Sequence, residues 1–469
     1  HASSTMIQRI IHKSTDNHDL ILIFLGWGTD AQAISTLRYP GCDIMAVWDY
    51  RDPSFDTSHI QRYRNIYLFA WSMGVMMAER VLCGHPDIRP TLSIAVNGSP
   101  YPIDDLRGIP YAIFTGTLDG LDESSLQKFR RRMCRNKEEY AGYRDVQPDR
   151  PIDELRDELR ILGMLAKENH TIHSTTLKWD RAIIAENDRI FPADNLKRAW
   201  DTLSTRIRIT EGGHLPDWQT IINQEIIDKD YVARKFMRSL PTYDNEAVAQ
   251  KAIAGHLWDM WRNELASRSP QSIIEAGFGT GTMTRLYMSE LKPSHLILWD
   301  LCPSDIEFTC TSVETLTGDA EEFMSRQPDT SVDAIVSAST IQWFNSPSGF
   351  ISNAARALSS GGHLVISTFG ERNMQELTQV TNLPLRYLTL NELVGLLPAN
   401  MRLLAAHQED ITLRFDSPKE VMRHLRATGV NGMRGTDTPL SRILSGYPRN
   451  LDGSVNLTYH PLYLIAEKT

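Results

Sequence analysis

The chain has 469 residues, of which 41% are hydrophobic and 23% charged, a balance typical of soluble proteins with two to four domains. Its net charge of −9 argues against general nucleic-acid binding, and no apolar run reaches the roughly 20 residues of a membrane helix. The cysteines are Cys42, Cys83, Cys134, Cys302 and Cys310. They form no Cys-x-x-Cys pair, so we expect reduced thiols in a cytoplasm. The opening HASST is interpreted as an expression remnant.

The first half of the chain contains short apolar runs followed by turn residues, the pattern of buried parallel strands. The runs are LILIFL (20–25), DIMAVW (43–48), IYLFAW (66–71), LSIAVN (92–97), YAIFTG (111–116), RAIIAE (181–186) and RIRIT (206–210). They predict a mostly parallel sheet of about seven strands. A loop is expected between the second and third runs, where Pro53 lies in a segment with little helical periodicity. Residues 117–180 carry helical patterns and are predicted to form a lid over a site.

The sequence AWSMG places Ser72 between a predicted strand and a predicted helix. Small residues two before and two after a serine let the sharp turn of a G-x-S-x-G nucleophile elbow close, although Ala70 replaces the first glycine. Asp188 follows the sixth run and His214 the seventh, so the order Ser, Asp, His matches the hydrolases that use this elbow. Alternatively, Asp188 caps the next helix and His214 is an ordinary loop histidine. Asp119 is the reserve acid.

A serine nucleophile also needs N–H groups aimed at the developing oxyanion. One is expected from Met73, next to the nucleophile. The other is expected from Trp27 in LGWGTD, where flanking glycines allow a close backbone approach. His170 and His173 are interpreted as a surface pair, and no metal site is predicted.

The second half begins with SIIEAGFGTGTMT, which is typical of a strand, a glycine-rich turn and a helix. Gly277, Gly279 and Gly281 let a ligand lie against the backbone, and Glu275 ends the strand. Asp300 ends the next strand, 19 residues after Gly281, where a carboxylate can accept hydrogen bonds from ribose hydroxyls. The spacing G-x-G-x-G differs from the G-x-G-x-x-G typical of NAD sites.

A short third strand is followed by Asp319, and DAIVSASTIQWF supplies a fourth strand that contains Ser337. This series resembles the class I methyltransferases that use S-adenosylmethionine. The resemblance implies that Asp300 holds the ribose, Asp319 the adenine amino group and the glycine loop the methionine part; Ser337 is included in the cofactor site. The segments RLLAAHQEDITLRF and NLTYHPLYLIAEK are expected to be the closing antiparallel strands. Helices before the glycine loop are expected to break near Pro241.

Three further stretches, ARKFMRSLPTYDNEAVAQ (233–250), STFGERNMQEL (367–377) and HLRATGVN (424–431), resemble the BioC family, the malonyl-acyl-carrier-protein O-methyltransferases of biotin synthesis. AWSMG, the loop-rich second connection and NDRIFPADN resemble the BioG type of pimeloyl-acyl-carrier-protein methyl ester esterase. The resemblance implies a natural fusion of an α/β-hydrolase domain over 6–224 with a methyltransferase domain over 225–469. It also implies that one half caps the malonyl carboxyl and that the other later removes the methyl group through acyl-Ser72.

The segment KFRRRMCRNK (128–137) concentrates positive charge in an acidic chain. The residues predicted to bind the acidic acyl carrier protein are Arg130, Arg131, Arg132 and Arg135. The alternative is a solvated lid helix. Two other functions stay open: a small-molecule carboxyl methyltransferase joined to a lipase-like esterase, and a fusion in which one half only binds the carrier.

Overall fold

The computed structural model describes residues 6–171, 177–381, 387–429 and 438–469. The HASST segment, His173, the side chain of His170 and the last two residues of HLRATGVN lie outside this description. Contacts between Cα atoms divide the chain into two compact units, His1–Ile226 and Ile227–Thr469; the sequence-based boundary lies between residues 224 and 225. Each unit contains its own seven-stranded sheet, so the predicted α/β fold class is confirmed.

The sheet of the first unit has the order β1-β3-β2-β4-β5-β6-β7. Its strands are β1 (Ile7–His12), β2 (Asp19–Phe24), β3 (Cys42–Trp48), β4 (Asn65–Trp71), β5 (Leu92–Val96), β6 (Arg181–Ala185) and β7 (Ile207–Thr210). All neighbours are parallel except β1, which pairs antiparallel with β3. The sequence did not predict β1, because this edge strand is only half-buried and lacks a continuous apolar run. The chain between β3 and β4 contains no helix, as expected.

The helices of the first unit are α1 (Gly74–Cys83), α2 (Tyr111–Asp119), α3 (Glu123–Met133), α4 (Lys137–Arg144), α5 (Ile152–Thr171), α6 (Ala193–Thr202) and α7 (Trp218–Glu225). The prediction of a strand at YAIFTG was wrong, since this run forms most of α2. Only Phe114 of that helix is buried, while Tyr111 and Ile113 are exposed. A short apolar run does not distinguish a helix from a strand by periodicity. We call α2 to α5 the helical insertion.

The sheet of the second unit has the order β10-β9-β8-β11-β12-β16-β13. The strands of this unit are β8 (Ser272–Ala276), β9 (His295–Asp300), β10 (Ser312–Thr317), β11 (Val332–Ala338), β12 (Leu358–Phe369), β13 (Met401–Gln408), β14 (Ile411–Phe415), β15 (Val455–Tyr459) and β16 (Pro461–Lys468). Strand β16 runs antiparallel to both neighbours. Each predicted closing segment therefore supplies one strand of this sheet and one strand of the separate β14-β15 pair.

The helices of the second unit are α8 (Lys229–Glu246), α9 (Val248–Leu265), α10 (Thr282–Met288), α11 (Ala320–Ser325), α12 (Pro347–Ala357), α13 (Gln375–Thr381), α14 (Leu390–Gly395), α15 (Pro418–Thr428) and α16 (Leu440–Gly446). The expected break near Pro241 was wrong, because α8 continues through this proline and ends at Glu246. Pro241 is exposed, and the next residue anchors the helix where the Thr242 hydroxyl donates to the carbonyl of Ala427 (2.9 Å).

Alternation along β8 builds two hydrophobic cores, one on each face of the second sheet. Ile273 belongs to one buried cluster and Ile274 to the other, as expected for a strand covered on both sides. Among the helices that the structure describes, none combines the length and apolar character needed to cross a membrane. All five cysteines are free thiols.

Candidate active sites

Ser72 lies in the turn between β4 and α1 with a left-handed φ of 61°. Two glycines make this turn possible by leaving room for neighbouring carbonyl oxygens. A Cβ on Gly74 would lie 2.5 Å from the carbonyl oxygen of Phe24, and one on Gly98 would lie 2.2 Å from that of Ser72. Both contacts are too short for any side chain, so the sequence holds the serine in a strained turn at the carboxyl ends of the strands.

The structure brings Ser72, His214 and Asp188 together in one hydrogen-bonded chain. The Nε2 atom of His214 lies 3.0 Å from the Ser72 Oγ, and its Nδ1 lies 2.8 Å from the Asp188 Oδ2. All three side chains are buried. The other carboxylate oxygen of Asp188 accepts the amides of Ile190 (2.8 Å) and Phe191 (2.9 Å). This is the arrangement of a nucleophile, a base and an orienting acid.

The structure does not agree with two alternatives that the sequence left open, Asp119 as the acid and Asp188 as a helix cap. Asp119 is exposed at the end of α2, not after a strand. Asp188 directs its carboxylate to the His214 ring and to the amides of its own loop, whereas the helix that follows, α6, has Pro192 before its first residue and no side-chain cap. The acid that contacts the histidine is therefore Asp188.

Asn97 supports the histidine loop, and the sequence did not single it out. Its Nδ2 donates to the carbonyl of His214 (2.9 Å), which also accepts the Trp71 indole N–H (2.9 Å). Its Oδ1 accepts the amide of Ala185 (2.9 Å) at the end of β6. Asn97 thus joins the ends of two strands to the loop that carries His214. Its position directly after β5, among turn residues, was the available signal.

The predicted oxyanion donors lie next to the serine. Trp27 and Met73 both line the cavity around Ser72, and a Cβ on Gly26 would lie 3.1 Å from that of Ser72. Within the described residues, the backbone N–H groups of Trp27 and Met73 donate no hydrogen bond to another protein group. Two unused N–H groups beside a buried serine are what an oxyanion hole needs.

The helical insertion covers this serine and leaves a cavity of about 30 Å³. Its apolar wall includes Ile113 and Phe114 from α2, Phe129 from α3 and Leu159 from α5. Shielding by these side chains lowers the local dielectric and strengthens interactions with a developing charge.

The basic cluster at the end of α3 is divided between surface and interior. Arg131, Arg132 and Arg135 are exposed, but the Arg130 residue is only 5% exposed. The expectation that Arg130 is a surface contact was therefore wrong, because this residue lies on the inward side of its helix with Leu126 and Met133. Arg132 also lines the cavity around Ser72.

The second unit contains a cavity of about 310 Å³ bounded by the glycine-rich turn, the end of β9 and the inner face of α8. Gly277 has a φ of 74°, and a Cβ there would lie 2.2 Å from the Thr340 Oγ1. Gly279 and Gly281 also have positive φ, and a Cβ on Gly279 would meet nothing within 4 Å. The turn therefore leaves space for a ligand against its backbone.

Two carboxyl groups line this cavity, those of the half-buried Asp300 and the buried Glu275. Asp300 accepts the amides of Gly279 (2.8 Å) and Cys302 (2.9 Å), and burial raises its pKa above the usual range despite both donors. One oxygen of Glu275 accepts the hydroxyls of Thr284 (2.7 Å) and Tyr287 (2.6 Å). Burial raises the pKa of Glu275 to about 7.

The other two predicted cofactor residues lie behind the cavity wall. The Asp319 carboxylate pairs with the Lys229 ammonium (3.0 Å) and accepts the amide of Glu321. Ser337 is fully buried, and its hydroxyl donates to the carbonyl of Ala276 (3.0 Å). Neither residue lines the cavity, although Gly318 and Ala320 do. Contact of Asp319 or Ser337 with the cofactor stays a prediction.

The inner face of α8 forms an apolar wall that sequence reasoning did not assign to the site. Phe236, Leu240 and Tyr243 line the cavity from this helix, and Phe369 lines it from β12. The sequence contained a signal for this wall, because Phe236, Leu240 and Tyr243 are spaced by four and three residues and therefore fall on one face of a helix.

Comparison with known proteins agrees with this division. The family described as "Pimeloyl-ACP methyl esterase BioG" matches residues 8–220, and a methyltransferase domain family matches residues 274–366. A malonyl-[acyl-carrier protein] O-methyltransferase of Bacteroides fragilis (strain 638R) is 37% identical over an alignment 467 positions long, which covers 96% of this chain and 93% of that protein. The chain belongs to this methyltransferase family. It joins a BioG half to a methyltransferase half, and the predicted fusion is confirmed.

Two shorter proteins match about half of the chain. A malonyl-[acyl-carrier protein] O-methyltransferase of Bacteroides thetaiotaomicron is 34% identical over 52% of this chain and 99% of that protein. The crystal structure of BioG from Haemophilus influenzae is 38% identical and covers 45% of this chain and 94% of that chain, with a TM-score of 0.41.

The methyltransferase family implies S-adenosylmethionine as the cofactor, and the cavity residues fit this group. A glycine turn with open space beside its backbone suits the methionine part, while the Asp300 carboxylate suits two ribose hydroxyls. Glu275 offers a carboxyl group to a cationic ligand. The apolar wall from α8 adds nonpolar surface to the same cavity.

Proposed function

We propose that this chain is a bifunctional enzyme of biotin synthesis. Its second unit methylates the free carboxyl of malonyl-acyl carrier protein, and its first unit hydrolyses the methyl ester of pimeloyl-acyl carrier protein through Ser72, His214 and Asp188. The observation that carries the esterase assignment is the buried hydrogen-bonded chain of these three residues, with distances of 3.0 and 2.8 Å. The methyltransferase assignment draws its support from the family and from the fit of the large cavity to the cofactor.

In hydrolysis, the Ser72 Oγ attacks the ester carbonyl while the His214 Nε2 takes its proton. The negative charge on the carbonyl oxygen is stabilised by the backbone N–H groups of Trp27 and Met73. His214 then gives the proton to the departing methoxy group, so methanol leaves and acyl-Ser72 remains. Water, deprotonated by His214, attacks this ester in turn and restores the serine. Asp188 keeps the imidazole in the required tautomer throughout.

In methyl transfer, the nucleophile is the malonyl carboxylate, which is already ionised and needs no general base. When bound, S-adenosylmethionine supplies an electrophilic methyl group. The residues of this chain have to align the two ligands and exclude water. Phe236, Leu240 and Phe369 supply apolar surface for that purpose. The methyl cap hides a charge that is costly to transfer into an apolar fatty-acid synthase pocket.

Carrier recognition is proposed for the exposed arginines of the first unit. Arg131 and Arg132 lie in the last turn of α3, Arg135 follows that helix, and Arg132 reaches the wall of the serine cavity. A positive patch beside the cavity attracts an acidic carrier and raises its association rate. A small uncharged substrate would gain nothing from this patch.

Methyl-labelled S-adenosylmethionine tests the methyltransferase directly. Incubation with malonyl-acyl carrier protein is expected to place label on the carrier, in a form that alkaline hydrolysis releases as methanol. The matched control is acetyl-acyl carrier protein, which has the same thioester and no free carboxyl. Label on free malonate but not on its carrier-linked form would favour the small-molecule alternative. Adding pimeloyl methyl ester on the carrier tests the esterase on the same preparation.

A further inference from the structure

We propose that Glu158 of α5, together with Arg150, is a positioning residue for ester hydrolysis, because it holds the loop that supplies the oxyanion N–H of Trp27. In this view the helical insertion is part of the support of the oxyanion hole as well as a cover over the serine. This inference rests on the proposed esterase activity of Ser72.

Glu158 is completely buried, and both carboxylate oxygens contact backbone amides that are distant in sequence. Its Oε1 accepts the amide of Gly28 (2.8 Å), and its Oε2 accepts the amide of Tyr50 (3.0 Å). Gly28 directly follows Trp27, so the carboxylate holds the peptide group next to the oxyanion donor.

Arg150 completes the buried pair and contacts the same loop. Its two terminal nitrogens lie 3.2 and 3.0 Å from the two oxygens of Glu158. One of these nitrogens also donates to the carbonyl of Thr29 (3.1 Å). The Arg150 side chain is only 5% exposed, and the carboxylates of Glu158 (3.0 Å) and Asp49 (3.4 Å) compensate its charge in the interior.

The helical insertion holds the loop through Trp27 as well. The indole N–H of Trp27 donates to the carbonyl of Leu155 on α5 (2.8 Å), less than one helical turn before Glu158. Inside the loop, the Thr29 hydroxyl donates to the carbonyl of Gly26 (2.6 Å). Hydrogen bonds of Gly26, Gly28 and the Trp27 indole thus fix the loop. Within the part of the chain that the structure describes, the backbone N–H of Trp27 remains free to donate to an oxyanion.

These contacts give Glu158 a role in positioning the oxyanion donor, beyond any contribution to stability. A buried ion pair is often no more stabilising than apolar residues of equal volume, yet here the carboxylate accepts an amide adjacent to the oxyanion donor. Displacement of a reacting group by about 1 Å can reduce a rate about 100-fold. Loss of Glu158 is therefore expected to affect the turnover step more than substrate binding.

Two variants and one control separate positioning from folding. Glu158→Gln keeps the shape but places an amide NH₂ where one of two N–H donors requires an acceptor. The double variant Arg150→Met/Glu158→Leu removes both charges, so that neither is left buried alone. The control is Glu154→Gln on the same helix, whose side chain is 36% exposed and lies 3.9 Å from Arg150.

Hydrolysis of a small uncharged methyl ester is measured with the full chain, alongside thermal unfolding and affinity for a trifluoromethyl ketone whose adduct carries an oxyanion. In Glu158→Gln and in the double variant we expect kcat to fall about 10- to 100-fold. KM should stay within about twofold, and ketone affinity should fall in parallel with kcat. The Glu154→Gln control should keep wild-type values.

A folded double variant with wild-type kcat and ketone affinity would overturn the proposal, as would a loss of rate equal to the loss of folded protein. A change confined to KM would also overturn it, because this would indicate a role in ester binding. The activity of Ser72→Ala is a separate test: if that variant still hydrolyses esters, the proposed esterase mechanism fails rather than the role of Glu158.

Discussion

The two cavities differ in what the protein contributes to the chemistry. The first unit surrounds about 30 Å³ with a buried serine, histidine and aspartate in hydrogen-bond contact, whereas the second encloses about 310 Å³ between a glycine turn and an apolar helix. In the proposed hydrolysis, the protein itself supplies and activates the nucleophile, Ser72. Methyl transfer joins two ligands, so alignment is the main task. A single substitution should therefore affect hydrolysis far more than methyl transfer.

Ser72→Ala provides the strongest test of this contrast. Removal of the nucleophile should reduce ester hydrolysis about 10⁴- to 10⁶-fold, while methyl transfer to malonyl-acyl carrier protein should be unchanged. Both rates are measured on one preparation, so that methyl transfer also controls for folding of the second unit. Near-normal hydrolysis by the variant would exclude Ser72 from the mechanism.

Within the first unit, the sequence predicted the residues around Ser72 but not those that support them. Ser72, Asp188 and His214 each follow a strand, and parallel strands bring their carboxyl ends to one edge, so chain order was enough to group them. Glu158 contacts Gly28 from 130 residues away. No local pattern announces such a contact, because it depends on how α5 packs over the loop. Asn97 directly follows a strand, as the triad residues do, but its contacts with Ala185 and His214 lie 88 and 117 residues away along the chain.

The errors in secondary structure have local causes. YAIFTG has the apolar character of a strand, but tertiary packing makes it part of a helix in which only Phe114 is buried. Pro241 removes one backbone donor, yet α8 tolerates it on an exposed face while its other face packs inward. In both cases contacts with other elements override the local signal.

Asp300→Ala tests the second cavity at its most polar point. The substitution removes the proposed ribose acceptor and also the carboxylate that accepts the amides of Gly279 and Cys302. We expect about 10- to 100-fold weaker S-adenosylmethionine binding, measured by calorimetry, with ester hydrolysis unchanged.

Gly279→Val should also weaken S-adenosylmethionine binding, because the valine side chain would occupy open space beside the turn, at a residue with a positive φ. Unchanged affinity in both variants would place the cofactor elsewhere.

Charge reversal at the end of α3 should give a smaller effect that depends on the substrate. Arg130 is buried and Arg132 lines the cavity, so the informative variant is Arg131→Glu/Arg135→Glu. We expect kcat/KM for the carrier-linked ester to fall roughly tenfold at low salt and less at high salt. A small uncharged ester should be hydrolysed normally.

The matched control for that variant reverses two exposed basic residues outside the helical insertion, in Lys13→Glu/Arg89→Glu. It makes the same change in net charge and should leave carrier hydrolysis near wild type. Equal losses in both variants would indicate that net charge, not a docking site, steers the carrier.

Glu275 should make cofactor binding depend moderately on pH. Burial raises its pKa to about 7, above the value of 4.5 expected when unfolded, so the unliganded unit loses stability as pH rises through this interval. A cationic ligand favours the ionised carboxylate, so S-adenosylmethionine affinity should increase several-fold from pH 6 to pH 7.5. Glu275→Gln should flatten this increase, since its carbonyl oxygen can still accept Thr284 and Tyr287. An unchanged pH profile in this variant would mean that another group titrates.

Separating the two units should have the smallest effect. The first buried core lies within residues 6–226, and both others lie within 249–466, so each unit has its own apolar interior. The methylated malonyl thioester is not the ester that the first unit is proposed to cleave, because other enzymes must first lengthen the chain. The intermediate therefore has to leave, and a tether raises local concentration only for a direct transfer.

Fragments cut after Ile226 are accordingly expected to fold and to act, since the cut follows the division between the units. Mixed in equal amounts with a reconstituted fatty-acid synthase, they should form pimeloyl-acyl carrier protein within about twofold of the rate of the intact chain. Thermal unfolding of each fragment shows whether a slow mixture reflects misfolding. A several-fold advantage for the intact chain over well-folded fragments would mean that covalent linkage contributes to catalysis. Without that advantage, the linkage serves to produce both activities in equal amounts.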